Sequence, residues 1–334
     1  MSITTSTSPG ISQRTNVWAA REMLKHAAPV TVLEKFGKAI RMPKNKSTTA
    51  KFRRPKVFAA VTTPLVEGVT PKTHAFQYED VECTLSQYGM VVGITDVIED
   101  THEDPVLSDA TVQTGENLGR TVEALTYGTV KAGTSVFYAN GTTRSGVNTP
   151  ITKNKQRAVT RYLKAQKAKK ITRMLSGSQN YQTKPIEAAY IAVAHTDCES
   201  DIRNMDKFTP VAEYGQRQPL CEEEIGSVED VRYILSPDLD AFLGAGSSTL
   251  NGMLAADGTN VDVYPVLYFG MEAYGVVAIR GAGAVSPTVI PVGQKDKSDP
   301  LGQRGYVGWK TWFASLILNQ TWMARLEVAV SDLE

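Results

Sequence analysis

Between Leu107 and Thr129 the chain carries one unbroken helical face. Leu107, Thr111, Thr114, Leu118, Val122, Leu125 and Thr129 follow one another at spacings of 4, 3, 4, 4, 3 and 4, the rhythm of an α-helix showing one side to a neighbour. Asp104-Pro105 just ahead of them supplies a capping side chain and a proline where the first turn has no hydrogen bond to lose. The expectation is a helix over 104–132, with one face running over some 25 residues, roughly 38 Å at 1.5 Å per residue. Gly115, Gly119 and Gly128 each cost it about 1 kcal/mol of intrinsic propensity. Such a helix depends on packing along its whole length, so it is a strut that requires a fold built around it.

The segments on either side are of a different kind. Residues 1–43 read as an arm, with a short helical stretch at 17–26 and mixed polar residues up to Pro43. The 44–100 segment holds β-rich runs, Val57-Phe58-Ala59-Ala60-Val61 and then His74 to Leu85, separated by Pro64, Gly68 and Pro71. Together they predict a long hairpin leading into Met90-Val91-Val92-Gly93-Ile94. A polar, basic hairpin of this length has little core of its own and needs something to lie on.

Beyond the helix, 134–150 reads as a loop and Ile151–Leu175 as a second, strongly basic amphipathic helix with nine Lys/Arg. The pattern then turns α/β: strands at 188–194, 228–235 and 263–269, a helix from Thr196-Asp197 to Met205, and a short helix at 271–279. Near the end, Trp312, Ala314, Leu316 and Leu318 alternate, and Trp322, Ala324, Leu326, Val328 and Val330 resume the alternation after Asn319-Gln320. This predicts a β-hairpin or two paired strands. Trp309, Trp312 and Trp322 concentrate there, and the expectation is that they close a core against the long helix.

At 334 residues and 42% hydrophobic content the chain can bury a sizeable core as one elaborate domain or two smaller ones. The net charge of +1 exerts no global pull on nucleic acid or membrane. No apolar stretch approaches the roughly 18 residues of a membrane helix, and the Ser/Thr-rich start reads as no secretory signal. These features predict a soluble protein made in the cytosol. Cys83, Cys198 and Cys221 are odd in number and widely spaced, which argues against a disulfide framework or a zinc ribbon. Charge is unevenly spread, with 12 Lys/Arg against 2 acids up to Lys56, no acid from Lys153 to Lys184, and acids gathered at 79–104 and 222–240. Patches of opposite sign suit self-association, although any one of them also reads as a solvated face.

Motifs that carry chemistry are wanting. There is no phosphate loop, zinc-binding H-E-x-x-H or nucleophile elbow, and Gly281-Ala282-Gly283-Ala284 lacks the third glycine of a dinucleotide turn. His195-x-x-Cys198, flanked by Asp197, Glu199 and Asp201, is the best metal-like cluster, but it needs two more ligands. It reads more simply as a capped helix start. Glu222-Glu223-Glu224 reads as a solvated acidic loop, because three consecutive acids do not share a face. His26, His74 and His102 stand alone. The basic helix at 153–173 could track phosphates, but Tyr162 is its only aromatic and no recognised nucleic-acid motif surrounds it. No catalytic residue, cofactor or metal is called for.

The order of segments is distinctive: arm, long two-stranded excursion, lone long helix, α/β region, and a return to strands. Several stretches carry a resemblance. Gln87-Tyr88-Gly89 with Thr95-Asp96 precedes the helix, and Leu118-Gly119-Arg120-Thr121 lies in it. Ala194-His195-Thr196-Asp197 with Asp201-Ile202-Arg203 forms a strand-to-helix step. Glu224 to Val228 leads a strand ending at Ser236-Pro237, and Asp299-Pro300-Leu301-Gly302-Gln303 with Gly308-Trp309-Lys310 opens the final strands. In this order, from about Val17 to Val330, the chain resembles tailed-bacteriophage major capsid proteins of the Hong Kong 97 fold, and more narrowly the coliphage N-four-type family.

The resemblance implies an α+β capsid fold. Its parts would be an N-terminal arm (1–43), an extended β-hairpin loop with its lead-in (44–100), and a peripheral domain (101–149) with a spine helix at 104–132. An α/β axial domain (150–280) and a return to the peripheral domain (281–334) would complete it. It implies a non-enzymatic virion protein that assembles with itself into pentamers and hexamers, closing an icosahedral head around double-stranded DNA held without sequence reading. A scaffolding protein and portal during assembly in the host cytoplasm, and a decoration protein, are the further implied partners; no membrane is among them. The loop and arm would reach over neighbouring copies, which makes Arg41, Lys51, Arg53, Arg54 and Lys56 the candidate intersubunit contacts. Alternatives left open are an encapsulin-type compartment shell on the same fold, an α/β enzyme built on 188–280, and a DNA-binding module using the basic helix.

Overall fold

A computed structural model describes residues 23, 31–43, 47–56, 58–65, 67–71, 73–101, 105–175, 183–215, 217–279, 285–295 and 299–333. Apart from Met23, the expected helix at 17–26 lies outside these residues, as do the expected cap Asp104 and the glycines 281 and 283. In chain order the first strands are β1 (Lys38–Met42), β2 (Thr49–Pro55), β3 (Tyr78–Thr84) and β4 (Ser86–Thr95), followed by a short helix α1 (Asp96–Thr101) and the long helix α2 (Val106–Lys131). Next come β5 (Val136–Tyr138), helix α3 (Lys153–Ala165), β6 (Ile171–Leu175), β7 (Thr183–Ala194), helix α4 (Glu199–Arg203), β8 (Phe208–Pro210), β9 (Glu224–Val228) and β10 (Val231–Leu235). The chain finishes through β11 (Tyr264–Phe269), β12 (Tyr274–Ile279), β13 (Val285–Ile290), β14 (Arg304–Ile317) and β15 (Met323–Val328).

Strand β14 organises a five-stranded sheet. Residues 304–313 pair antiparallel with β4 along one edge. Along the other edge, β13 pairs with 306–311 and β12 with 313–317. Strand β1 then adds in parallel to β12. Because side chains alternate along a strand, β14 presents two different apolar faces. Val307, Trp309 and Phe313 point to one side and form a buried cluster with Ile94, Val276 and Leu118 and Val122 of α2. Trp312, Ala314, Leu316 and Leu318 point to the other. The predicted strut and its packing against the C-terminal tryptophan region are therefore both present.

A second sheet of eight strands runs β5-β15-β11-β7-β10-β9-β8, with β6 on β7. Its strands β10 and β11 are buried at every position, as expected of strands covered on both faces. Helix α3 packs on one face: Val159 and Leu163 join a buried cluster with Tyr190, Tyr233, Tyr268, Leu326 and Val328. A separate cluster forms the seam between the two sheets, where Val32, Leu33 and Phe36 meet Tyr127 and Val130 of α2 together with Phe269 and Tyr274.

Several expectations are corrected. The C-terminal alternation is not a hairpin: β14 lies in the five-stranded sheet and β15 in the other, paired with β11 and β5. The 271–279 stretch is strand β12 rather than a helix. The basic helix stops at Ala165, where Lys167 takes a left-handed φ of 55°, and Ile171–Leu175 is a strand. The 228–235 run is not one strand: β9 ends at Val228, the chain turns at Glu229, whose φ is 54°, and β10 runs back antiparallel from Val231. Residues 58–61 lie outside regular structure, and the first hairpin strand is β2, further toward the N-terminus.

Candidate intersubunit surface

The predicted hairpin consists of β2 and β3, seven residues each, in antiparallel register from Thr49 opposite Thr84 to Pro55 opposite Tyr78. Main-chain bonds from Leu85 to Thr48 (2.8 Å) and from Lys56 to Gln77 (2.9 Å) extend the ladder at both ends. Alternation again sorts the side chains. Ala50 and Phe52 turn toward the five-stranded sheet and are buried with Met42, Leu85, Val277 and Leu316, with Trp312 packed alongside. Phe52 rests on Gly275 of β12. A Cβ there would stand 2.9 Å from the ring tip, so the glycine is what allows the close approach. The hairpin base thus has a seat on its own chain.

Lys51 and Arg53 point outward, and Arg54, on the parity of Phe52, lies at the rim of the seat. Lys51 faces Glu82, Arg53 faces Asp80 and Arg54 faces Glu79 in direct cross-strand register, the geometry in which opposite charges stabilise a strand pair. Arg53 holds Asp80 through two bonds of 2.8 and 2.9 Å, and Lys51 pairs with Glu82. Arg54 reaches Glu79 at 2.8 Å and also donates to the Leu318 carbonyl (3.1 Å), which pins the hairpin to the end of β14. The hydrogen bond from Arg53 holds the Asp80 carboxyl below its usual range and raises Arg53 in turn, while the pairing with Glu82 raises Lys51. Lys56 is exposed just past β2, and Arg41 sits half-buried in β1. The five candidate cations are therefore not one bare basic patch: three are neutralised by acids of the adjoining strand.

Past the paired strands, residues 58–65, 67–71 and 73–77 project without regular structure and are exposed. Phe58, Val61, Leu65, Val69, Phe76 and Tyr78 are all more than half exposed. Phe76 and Tyr78 meet edge to face with centroids 4.7 Å apart, Phe58 lies 6.1 Å from Phe76, and the Arg53 guanidinium sits 5.4 Å over the Tyr78 ring. This aromatic group is the part of the surface that reading charges along the chain missed. The alternating spacing of Phe76 and Tyr78 is its only sequence signal.

The places where chemistry was sought hold structure instead. His195 caps its own turn, with Nδ1 accepting from the Asp197 amide (3.1 Å), and Asp197 accepts from the Tyr264 hydroxyl (2.8 Å). Cys198 is buried, which pushes its thiol up and leaves it unreactive. Asp201 ties down the C-terminal segment by accepting from the Ser331 amide and hydroxyl. Among the described residues, no three His, Cys, Asp or Glu side chains converge as metal ligands.

Glu222 is exposed, but Glu224, expected in a solvated loop, is 5% exposed. It pairs with buried Arg232 at 2.6 Å and accepts from Tyr214 and the Leu220 amide. Glu327, also buried, receives Arg144 at 2.8 Å and Arg325 at 2.9 Å. The basic helix is held by acids on neighbouring segments: Lys153 to Asp206 (2.8 Å), Arg157 to Glu229, and Lys164 to Asp230 (2.6 Å). An open groove of about 300 Å3 beside its start is lined by Lys153, Asn154, Asp201 and Asp206, but the Lys153–Asp206 pair and the Asp201–Ser331 bonds already occupy its charged groups.

Comparison with protein families matches residues 78–313 to a family described as phage capsid protein. The match does not single out the N-four-type branch. No curated protein matches the sequence. Among solved structures, the capsid of Ralstonia phage GP4 superposes with a TM-score of 0.65 at 11% identity, over 92% of this chain and 93% of that one. The cyanophage Pam1 capsid gives 0.57 at 16% identity, over 92% of each chain. The SrpI encapsulin of Synechococcus elongatus gives 0.51 at 11% identity, over 100% of this chain and 94% of that one. The shared fold is thus the α+β Hong Kong 97 type.

Proposed function

Because the chain belongs to the phage capsid protein family, we propose that it builds a closed shell by seating its β2–β3 hairpin and the aromatic projection beyond it on neighbouring copies of itself. The observation that carries this reading is the projection over residues 58–77: it exposes a run of large apolar side chains, has no core of its own, and is held out from the body by a charge-paired stem. Such a surface suits a second copy of the chain better than solvent. Arg53, Arg54 and Lys56 at the outer end of the stem, with Lys51 nearer its base and Arg41 on β1, serve the same contact. In this role the ion pairs leave the stem close to neutral, and the aromatic group supplies the adhesive area.

In the same reading, the five-stranded sheet with α2 is the peripheral part and the eight-stranded sheet is the axial part, gathered around five- and six-fold axes. Strands β5 and β15 then return to the axial sheet, and β12 to the peripheral one. Pentamers and hexamers of one chain close an icosahedral head of a tailed phage, with double-stranded DNA inside and a scaffolding protein, portal and decoration protein as assembly partners in the host cytoplasm. Head-to-tail contacts around an axis close into rings, and rings close into a shell. The pairing of the basic helix with Asp206, Glu229 and Asp230 favours shell-building over a DNA-binding module.

The likeness to an encapsulin supports a second reading, a compartment shell on the same fold. Portal and terminase genes beside this one would decide for the phage head. The direct test is expression of the chain, alone and with candidate scaffold, followed by negative-stain electron microscopy and light scattering. Rings or closed shells are the expected result. A monomer under every condition, at high concentration and with scaffold, overturns the proposal.

A further inference from the structure

Helix α2 buries a carboxylate that the shell-building reading does not use. Glu123 is fully buried, and its two oxygens accept from the main-chain amides of Val32 (3.0 Å) and Leu33 (3.0 and 3.1 Å). These amides open a short 3-10 turn, Leu33–Phe36, that straps across the helix and leads directly into β1. Tyr274 of β12 holds the same turn from the other side, donating its hydroxyl to the Leu33 carbonyl at 2.5 Å. The strap is thus clamped between one acid and one phenol at the seam of the two sheets.

The charged groups around Glu123 do not compensate it. From the strap come Glu34, itself buried, and Lys35, whose ammonium lies 3.6 Å from Glu223. Tyr274 faces it from β12, and burial raises that hydroxyl well above its usual range, so it stays neutral. Strand β6, also against the strap, offers Arg173, which is exposed. On the helix itself, Arg120 extends toward Asp238 at 3.9 Å. Among the described residues, no Lys, Arg or His forms an ion pair with Glu123. A carboxylate buried in this way favours its neutral form.

We propose that Glu123 is a proton-operated latch: its neutral carboxyl keeps the 31–36 strap seated on the spine helix, and its ionisation loosens that strap. Burial pushes Glu123 up to about 8, opposed by the two amides and by Lys35 and reinforced by Glu34. An acid whose affinity for protons is higher in the docked state favours docking at low pH and loses that contribution as pH rises. The window runs from the ordinary carboxylate range, about 4.3, to about 8. The latch stands independently of the shell contacts proposed above.

Hydrogen exchange at residues 32–36 of the full chain, corrected for the intrinsic rate and measured from pH 6 to 9, tests it. Protection is expected to fall by up to about tenfold per pH unit, the limit for one linked proton, and to level off above pH 8. Glu123→Gln cannot ionise and is expected to give a flat profile. Lys35→Gln removes an opposing cation, so the fall is expected to extend to higher pH. A flat profile in the unaltered chain overturns the proposal, as does a Glu123→Gln profile that follows the unaltered one. If Glu123→Gln does not fold, Lys35→Gln decides: an unshifted or downward-shifted profile overturns it.

Discussion

Removing the Phe52 ring should free the hairpin without unfolding the rest of the chain. Phe52 is 7% exposed, and the β-strand beneath it presents Gly275. Gly275 itself has no side chain to fill the space that Phe52→Ala leaves. Truncating a buried phenylalanine costs about 3–5 kcal/mol when the cavity stays open. A two-stranded ribbon is marginal by itself, and the exposed ion pairs of this one contribute little. A loss of that size therefore exceeds what holds the stem down, whereas the clusters around Trp309 and around Tyr233 contain none of its atoms.

Hydrogen exchange on the purified chain should show the amides of β2 and β3 losing protection by more than about a hundredfold, since each 1.4 kcal/mol is a factor of ten. Those of α2 and β11 should stay within a few-fold of their original values. Shell or ring formation should fall in parallel. Uniform loss of protection across α2 and β14 would refute the reasoning, because Phe52 would then belong to the global core. Retained protection in β2 and β3 would refute it from the other side, by showing that the stem does not depend on its seat.

Other outcomes follow from the same geometry. Arg53→Glu places like charges opposite each other and should lower assembly yield, while Arg53→Glu with Asp80→Arg should restore it; sedimentation of assembled particles reads both. Glu224→Gln leaves Arg232 buried without its counter-ion and should destabilise the fold by about 3–5 kcal/mol, seen in urea unfolding, whereas Glu224→Met with Arg232→Met should recover much of the loss. Gly115→Ala should improve helix propensity by about 1 kcal/mol yet still reduce stability. The new methyl would stand 2.3 Å from the Met23 carbonyl oxygen, and denaturant unfolding would show whether the clash outweighs the gain.

The strut could be read from sequence because its period is one that only a packed helix produces, and Gly115 shows why a residue costly to the helix stands there: Met23 crosses it at backbone distance. The face of β14 bearing Trp312, Ala314, Leu316 and Leu318 was legible for the same reason. Its partner was not, since alternation reports which side a residue faces and never which strand lies alongside. The strand at 274–279 read as a helix because a short, fully buried apolar run has no period to display. At the candidate surface, counting charge along the chain found the cations at 51, 53 and 54 but not their neutralisation, because Glu79, Asp80 and Glu82 are distant in sequence and adjacent only across the turn. Glu123 and Glu327 gave no signal: the two main-chain amides that hold Glu123 and the distant Arg144 that joins nearby Arg325 on Glu327 come together only after folding.

The way β14 is gripped has a mechanical consequence. It is bonded along ten residues to β4 on one edge and to β13 and then β12 on the other. Tension drawn lengthwise through the strand loads these rows in shear, so many bonds must yield at once rather than one after another. The Arg54 bond to Leu318 attaches the hairpin stem at the end of this same strand. A pull on the projection by an adjoining molecule is thus delivered to the element best placed to resist it, and a wall made of such units would stretch least along the direction of β14.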